Sequence, residues 1–347
     1  MLPRRLLIEE TELGEAMTQL RVDLEGVRLN SQAVSRLLRG QGIDLIAVTK
    51  ACLGDPRVAQ AMLDGGAQGL ADTRNQNLRR LRDALPDAEI HRIYLAPKSG
   101  GFESCDICYV SSSEGVRAVA RAGEIGHPRK IMFLLETGDL REGAPLEHLD
   151  DVVNAALQES RVEIEGIATN FACFVGRPEG LEHSVSTVVE AAQSLRRRGV
   201  DLPRVSAGNS STLSLLVQGK KLPEEVTELR CGEAILLGQD AILLQAVPGC
   251  RQDVCRLRLE VVEEYTKIAN GGAQRRLVLG AGSQDLGSGR LEFLSPGLRE
   301  IGRSSDYTVV VATPGANGTL GDILEAIPGY GALVSAWTSP FVEVDFV

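Results

Sequence analysis

The sequence predicts an α/β fold: a (β/α)8 barrel of the TIM type followed by a C-terminal all-β domain. Three observations carry this. Short apolar, β-branched runs alternate with amphipathic stretches through the first two thirds of the chain, as expected of parallel strands joined by crossover helices. There are eight such runs, the number that closes a barrel. Beyond about residue 249 the helical periodicity gives way to polar–apolar alternation broken by Gly- and Pro-rich turns.

The eight runs lie at 44–50, 68–72, 90–96, 107–111, 130–136, 163–170, 204–207 and 228–237, with amphipathic helices expected at 55–64, 73–84, 113–122 and 184–198. Asp55-Pro56 marks a helix start, with Asp at the N-cap and Pro at the first helical position. Further on, Arg256-Leu257-Arg258-Leu259-Glu260-Val261 alternates strictly, and 276–280, 307–312 and 341–346 are also strand-like. The expected organisation is an N-terminal extension at 1–20, too short to be a domain, a barrel at 21–245 and a β-domain at 246–347, about one hundred residues and a normal domain size.

Composition narrows the function. The formal net charge of −10 argues against a nucleic-acid partner. Seven cysteines in 347 residues, an odd number in a long chain, fit reduced thiols and a cytoplasmic protein better than a disulfide framework. No apolar run is long enough to span a membrane, and the start, Met1-Leu2-Pro3-Arg4-Arg5, turns acidic at Glu9-Glu10 before a leader core develops. Cys105-Asp106-Ile107-Cys108 has C-x-x-C spacing but lies in an apolar run, which reads as core thiols. The histidines (His91, His127, His148 and His183) occupy polar, loop-like or helical contexts without metal-ligand spacing, so no metal is assigned.

In a barrel of this kind the site lies at the C-terminal ends of the strands, and polar residues collect there. Lys50 closes the apolar run Ile43-Asp44-Leu45-Ile46-Ala47-Val48-Thr49. A buried, unpaired ammonium is costly, so such a lysine finds a partner or gives up its proton. The deprotonated amine suits imine chemistry, including a Schiff base with pyridoxal phosphate (PLP). Taken alone, the position is more readily that of a lysine snorkelling to water, and the residues that follow reverse that order. Asp72-Thr73-Arg74, Glu136-Thr137-Gly138 with Arg141, Thr169-Asn170, Gly208-Asn209-Ser210-Ser211 and Arg230 complete a ring at the same mouth. The stretch Ala207-Gly208-Asn209-Ser210-Ser211-Thr212 offers hydroxyl and backbone N–H groups before a helix, which suits an anion, or else is an ordinary helix cap. Gly232, in Cys231-Gly232-Glu233-Ala234, would let backbone approach a ligand closely.

With these residues placed, the chain resembles the alanine-racemase-type (fold type III) PLP enzymes, and most closely their ornithine racemase branch. The resemblance runs from about Arg21 to the C-terminus. It rests on ordered motifs: Val48-Thr49-Lys50, Ala71-Asp72-Thr73-Arg74-Asn75-Gln76-Asn77-Leu78, Asp139-Leu140-Arg141-Glu142-Gly143, Val205-Ser206-Ala207-Gly208-Asn209-Ser210-Ser211, Leu229-Arg230-Cys231-Gly232-Glu233-Ala234, Gly282-Ser283-Gln284-Asp285 and Ser304-Ser305-Asp306. It implies an amino-acid racemase in which Lys50 holds PLP as an imine and serves one face of Cα. Arg230 would face the pyridine nitrogen. Asn209, Ser210 and Ser211, with the backbone of Gly232 and Glu233, would hold the phosphate. Arg141 would lie near the phenolic oxygen and the substrate carboxylate, and Asn170 beside Arg230, where alanine racemases have a histidine. A homodimer is implied, each β-domain completing the partner's site.

Two departures from alanine racemases matter. Ser283 replaces the tyrosine that serves the second face in those enzymes, so Tyr307, Asp285 and Asp306 are the candidates, Tyr307 first on its chemistry. The stretch after Lys50 (Ala51-Cys52-Leu53-Gly54) lacks a phosphate-holding tyrosine. Losing bulky tyrosines implies room for a side chain larger than methyl, such as that of ornithine. The alternatives are a decarboxylase or aldolase of the same fold, and a non-catalytic PLP-binding protein. An arginine against the pyridine nitrogen argues against decarboxylation, since it never gives up its proton and leaves the ring a weaker electron sink.

Overall fold

The computed structural model describes residues 18–93, 100–174, 178–269 and 272–347. The chain forms two compact units, one of residues 25–251 and one combining the two ends, up to residue 24 and from 252 onward. Most of the N-terminal extension expected at 1–20, and the end of the strand expected at 90–96, lie outside the described residues.

β1 (Thr18–Val22) belongs to the second unit. The chain then enters α1 (Leu24–Arg39), and eight parallel strands follow: β2 (Asp44–Val48), β3 (Gly69–Asp72), β4 (Ile90–Arg92), β5 (Ile107–Val110), β6 (Arg129–Leu135), β7 (Val162–Thr169), β8 (Arg204–Asn209) and β9 (Glu228–Cys231). They pair in sequence order, and β9 returns to β2 through Asp44↔Glu228 to Ala47↔Cys231, closing the barrel. The helices between strands are α2 (Pro56–Asp64), α3 (Asn75–Ala84), α4 (Ser113–Ala122), α5 (Leu149–Leu157), α6 (Leu181–Arg197) and α7 (Leu213–Val217), and α8 (Glu233–Leu237) follows the last strand. Asp55 caps α2, its carboxylate accepting from the Arg57 N–H at 2.9 Å, with Pro56 at the first position. Ser112 caps α4 by accepting from Gly115 N–H at 3.1 Å. Both helices therefore start where local chemistry satisfies their unpaired amides.

The run expected as one strand over 228–237 is two elements. The strand ends at Cys231, opposite Ala47 of β2, and the apolar remainder Ala234–Leu237 is buried in α8. A short apolar run carries no period that separates strand from helix; the pairing with β2, which stops at Ala47↔Cys231, separates them here. Gly232 sits at the break, and a Cβ there would lie 2.5 Å from the Val48 carbonyl oxygen.

Inside the barrel, Ile46, Val48 and Ala71 pack together, as do Ile107, Tyr109, Met132, Leu134 and Ala168. At the N-terminal ends of the strands the filling is ionic. Arg204 grips Glu89 through two bonds of 2.7 and 2.8 Å, pairs with Glu165 at 2.9 Å and lies 3.5 Å from Glu228. Lys130 adds a second cation to Glu165 at 2.9 Å. His91, read from sequence as lying in a polar context, is in fact buried on β4, 2.9 Å from Glu89. Cys105 and Cys108 are buried free thiols, Sγ to Sγ 3.3 Å.

The second unit is an eight-stranded, mainly antiparallel sheet. It contains β1, β10 (Cys255–Ala269), β11 (Gly272–Leu279), β12 (Leu291–Phe293), β13 (Leu298–Arg303), β14 (Thr308–Ala312), β15 (Ile323–Pro328) and β16 (Glu343–Phe346). Two helices accompany it, the four-residue α9 (Ser283–Leu286) and α10 (Tyr330–Thr338). β10 is its hub, pairing with β1, β11 and β15. Among the described residues no helix is long and apolar enough to cross a membrane.

Candidate active site

Lys50 opens the short 3-10 turn that follows β2, two residues beyond Val48, and is half-buried. Its position is set by its neighbour. The Thr49 N–H donates to Ala71 O at 2.9 Å, and the Thr49 hydroxyl donates to the Asp72 carboxylate at 2.7 Å. Asp72 is fully buried and accepts three further bonds: Thr73 N–H at 2.6 Å, Arg74 N–H at 3.0 Å and Asn77 Nδ2 at 3.0 Å. Burial raises its pKa, and these four donors offset part of that rise. One carboxylate thus ties the start of α3 to the residue preceding Lys50.

The loop after β6 carries the Asp139-Leu140-Arg141-Glu142-Gly143 motif. It is closed on itself: Ala144 N–H donates to Leu134 O at 2.7 Å and Glu136 N–H to Ala144 O at 2.9 Å. Gly143 permits the closure, since its φ is +123° and a Cβ would lie 2.5 Å from Glu136 N. Arg141 binds Glu142 through both Nε and Nη2, the latter at 2.6 Å, and its Nε is 3.6 Å from Asp139. Burial alone would raise the Glu142 pKa. The hydrogen bond and charge of Arg141 outweigh it, with contributions from Asn170 and the Lys50 charge, and hold Glu142 below the ordinary carboxylate range.

Asn170 follows β7. Its Oδ1 accepts from Arg230 Nη2 at 2.8 Å and its Nδ2 donates to Glu142 Oε1 at 2.9 Å. Arg230, almost fully buried on β9, also donates to Thr169 O at 2.6 Å and Ser206 Oγ at 2.5 Å. Its guanidinium carbon lies 5.1 Å from the centre of the Tyr109 ring, while the Tyr109 hydroxyl donates to Glu228 at 3.3 Å. Glu228 is engaged by Tyr109 and lies 3.5 Å from Arg204.

Ser210 Oγ accepts from the N–H groups of Gly232 and Ala234, each at 3.3 Å. The amides converging there belong to Gly232 and Ala234, with Glu233 starting α8 between them. Asn209 Oδ1 accepts from the Ser211 N–H at 2.8 Å and hydroxyl at 2.7 Å, and its Nδ2 donates to Phe171 O at 3.2 Å. The same Nδ2 lies 3.0 Å from the exposed Cys173 Sγ.

Of the four non-glycine residues with positive φ among the described residues, three (Leu53, Leu140 and Ala172) lie on the loops after β2, β6 and β7. Backbone strain gathered at one mouth is a mark of function. The structure brings Arg141, Asn170 and Arg230 into one hydrogen-bonded chain, and Ser210 and Gly232 into one cup. It places Asp285, Asp306 and Tyr307 in the second unit. Asp285 is buried and accepts from Gly282 N–H at 3.3 Å and the Ser339 hydroxyl at 2.8 Å. Asp306 accepts from Gln284 Nε2 at 2.9 Å and the Ser305 hydroxyl at 2.6 Å. Tyr307 stands in the turn between β13 and β14 with its side chain exposed, its backbone bonded to Ser304. Asp72 was recognised at the mouth without a role, and Glu142 only as a letter of a motif; Tyr109 gave no signal, being one aromatic in an apolar run.

The donor set fits PLP. Two backbone amides and a hydroxyl converge, the donor types a phosphate needs, and the absent Cβ of Gly232 lets this segment approach β2 closely. A buried guanidinium offers a donor to a ring nitrogen and a lysine amine offers the attachment point.

Comparison with known proteins agrees. An ornithine racemase of Acetoanaerobium sticklandii is 27% identical over 352 aligned positions, covering 95% of this chain and 99% of that protein. A lysine racemase of Thermotoga maritima is 28% identical over 348, covering 94% and 97%. Among solved structures, alanine racemase from Corynebacterium glutamicum superposes with a TM-score of 0.75 at 16% identity, covering 96% of this chain and all of that one. D-threonine aldolase from Filomicrobium marinum does so at 0.76 and 15%, covering 95% and 92%. These structural likenesses establish the fold alone. Residues 22–240, more than half of the chain, match the family described as alanine racemase, N-terminal domain, so the chain belongs to the PLP-dependent alanine racemase family.

Proposed function

We infer that the protein is a PLP-dependent racemase of an amino acid larger than alanine, and specifically of a basic diamino acid such as ornithine or lysine. The observation that carries the racemase reading is Arg230, held inside the barrel by three neutral acceptors. A guanidinium keeps its proton at any accessible pH, so it donates to a pyridine nitrogen without protonating it. Bound PLP withdraws electrons from the substrate's Cα so that the α-proton becomes removable. With the weaker sink that Arg230 enforces, that proton returns quickly to Cα, which favours inversion over transamination or decarboxylation. The Lys50 amine takes or returns it on one face. Ser210, with the N–H groups of Gly232 and Ala234, binds the phosphate; Asn209 and Ser211 brace that loop. Arg141 binds the substrate carboxylate. The diamino-acid reading rests on the two curated relatives and on the acidic loop after β6, which carries Glu136, Asp139 and Glu142 beside Arg141.

We assign the second face to Tyr307, acting within a homodimer and supplied by the partner's β-domain. Its exposure leaves it available, whereas Asp285 and Asp306 are engaged by local donors. The seven free thiols support a cytoplasmic location. The test is chiral analysis after incubating the holoenzyme with ornithine, lysine, alanine and serine in D2O. Expected are inversion of ornithine or lysine in both directions with deuterium at Cα, and slow or absent turnover of alanine. Release of CO2 or of an aldehyde would establish the decarboxylase or aldolase alternative, and no exchange at all a PLP-binding protein.

A further inference from the structure

We propose that Glu142 is the positioning residue that couples the two arginines of the site, fixing Arg141 directly and Arg230 through Asn170. This rests on the racemase reading above. Glu142 accepts both N–H groups of the Nε/Nη2 edge of Arg141 and, on Oε1, the Asn170 amide at 2.9 Å. The other end of that amide accepts from Arg230 at 2.8 Å. The result is an unbroken path, Arg141–Glu142–Asn170–Arg230, running from a loop arginine half open to solvent to a guanidinium buried in the barrel. The amide of Asn170 has one donor and one acceptor end. With Glu142 ionised, only one orientation satisfies both neighbours, so the carboxylate dictates which face Asn170 turns to Arg230.

Three groups face Glu142 with charge: Arg141 on its own loop, Asp139 behind Arg141, and Lys50 across the mouth from the turn after β2. Glu142 is thus the anion that lets one arginine and one lysine share a small site. Neutralising it removes the anion on which the charges of both Arg141 and Lys50 act.

The experiment compares the wild-type holoenzyme with Glu142→Gln, Asn170→Ala and the double variant, measuring thermal stability, the pH midpoint of the PLP absorption band, and racemisation. Expected for Glu142→Gln is a fold of near wild-type stability with PLP still bound, an absorption midpoint lowered by about one pH unit, and kcat reduced on the order of a hundredfold with a smaller change in KM. Adding Asn170→Ala to Glu142→Gln is expected to cost little more than the worse single change, because the two share one path. A Glu142→Gln enzyme with unchanged midpoint and kcat overturns the proposal while leaving the racemase reading intact. Fully additive effects of the two substitutions overturn the path through Asn170. A wild-type chain that takes up no PLP overturns the reading and the proposal together. If Glu142→Gln fails to fold, Glu142→Asp, which keeps the charge but shortens the reach, serves instead: an unshifted midpoint with reduced kcat supports the proposal, and wild-type kcat overturns it.

Discussion

At the residue scale, Lys50 and Asp72 have complementary burdens. In the proposed function Lys50 is the attachment point, and its removal would leave no amine to hold the cofactor covalently. Lys50→Ala is expected to lose the visible absorption of the bound cofactor and all measurable racemisation while keeping the wild-type melting temperature, read by absorbance and calorimetry. Asp72 touches none of the proposed cofactor ligands except through Thr49. Its four hydrogen bonds nonetheless set where the turn bearing Lys50 begins. Asp72→Ala strands these donors, each buried loss costing about 1–3 kcal/mol. It is expected to melt several degrees lower and to bind PLP more weakly, as a titration of the absorption band will measure. The lysine was legible in the sequence because a charge ending an apolar run is anomalous. The carboxylate's role was not, because an Asp at a strand end is also a common turn residue.

At the element scale, the loop after β6 shows why a motif has its spacing. Asp139 and Gly143 bracket a closed turn: the Asp139 carboxylate accepts from Phe174 N–H at 2.9 Å, and Gly143 supplies the positive φ where the chain returns to β6. Gly143→Ala would put a methyl 2.5 Å from Glu136 N and 2.7 Å from Leu135 C, backbone atoms that cannot swing away. The variant is expected to lose about 2–3 kcal/mol by calorimetry and most activity, because Arg141 and Glu142 ride on that turn. The eighth strand makes the converse point. Residues 234–237 are all apolar, and no local rule separates strand from helix there. The last pair of β2 and β9 is Ala47↔Cys231, and beyond it the N–H groups of Gly232 and Ala234 donate to Ser210 Oγ. The short strands β12, β13 and β15, unmarked in the sequence, follow the same logic: residues such as Arg299, Glu300 and Gly302 alternate poorly and become strand only by pairing with β14.

At the scale of the whole molecule, the barrel is polar at both ends for different reasons. The end at the strand N-termini is closed by Glu89, Arg204, Glu165, Lys130 and Glu228 in mutual ion pairs. Burial would raise the Glu89 pKa, but His91 and Arg204 outweigh it and hold it at about 2. A carboxylate depressed in the folded state stabilises above its unfolded pKa and loses that contribution as pH falls from about 4.5 toward 2. Glu89→Gln is therefore expected to be less stable than wild type by about 2 kcal/mol at pH 7, with the gap closing across that acidic window, as urea unfolding at several pH values will measure. By itself the sequence determined the order of eight strands, the β-rich C-terminal part and the residue types around the mouth, because period, turn chemistry and misplaced charge are local properties. Only the tertiary structure decided which of those polar groups are joined. It set Glu142 between Arg141 and Asn170, ended β9 at Cys231 and paired five charges at the barrel floor. Each of these depends on residues tens of positions apart meeting at distances near 3 Å, and no local pattern encodes such a distance.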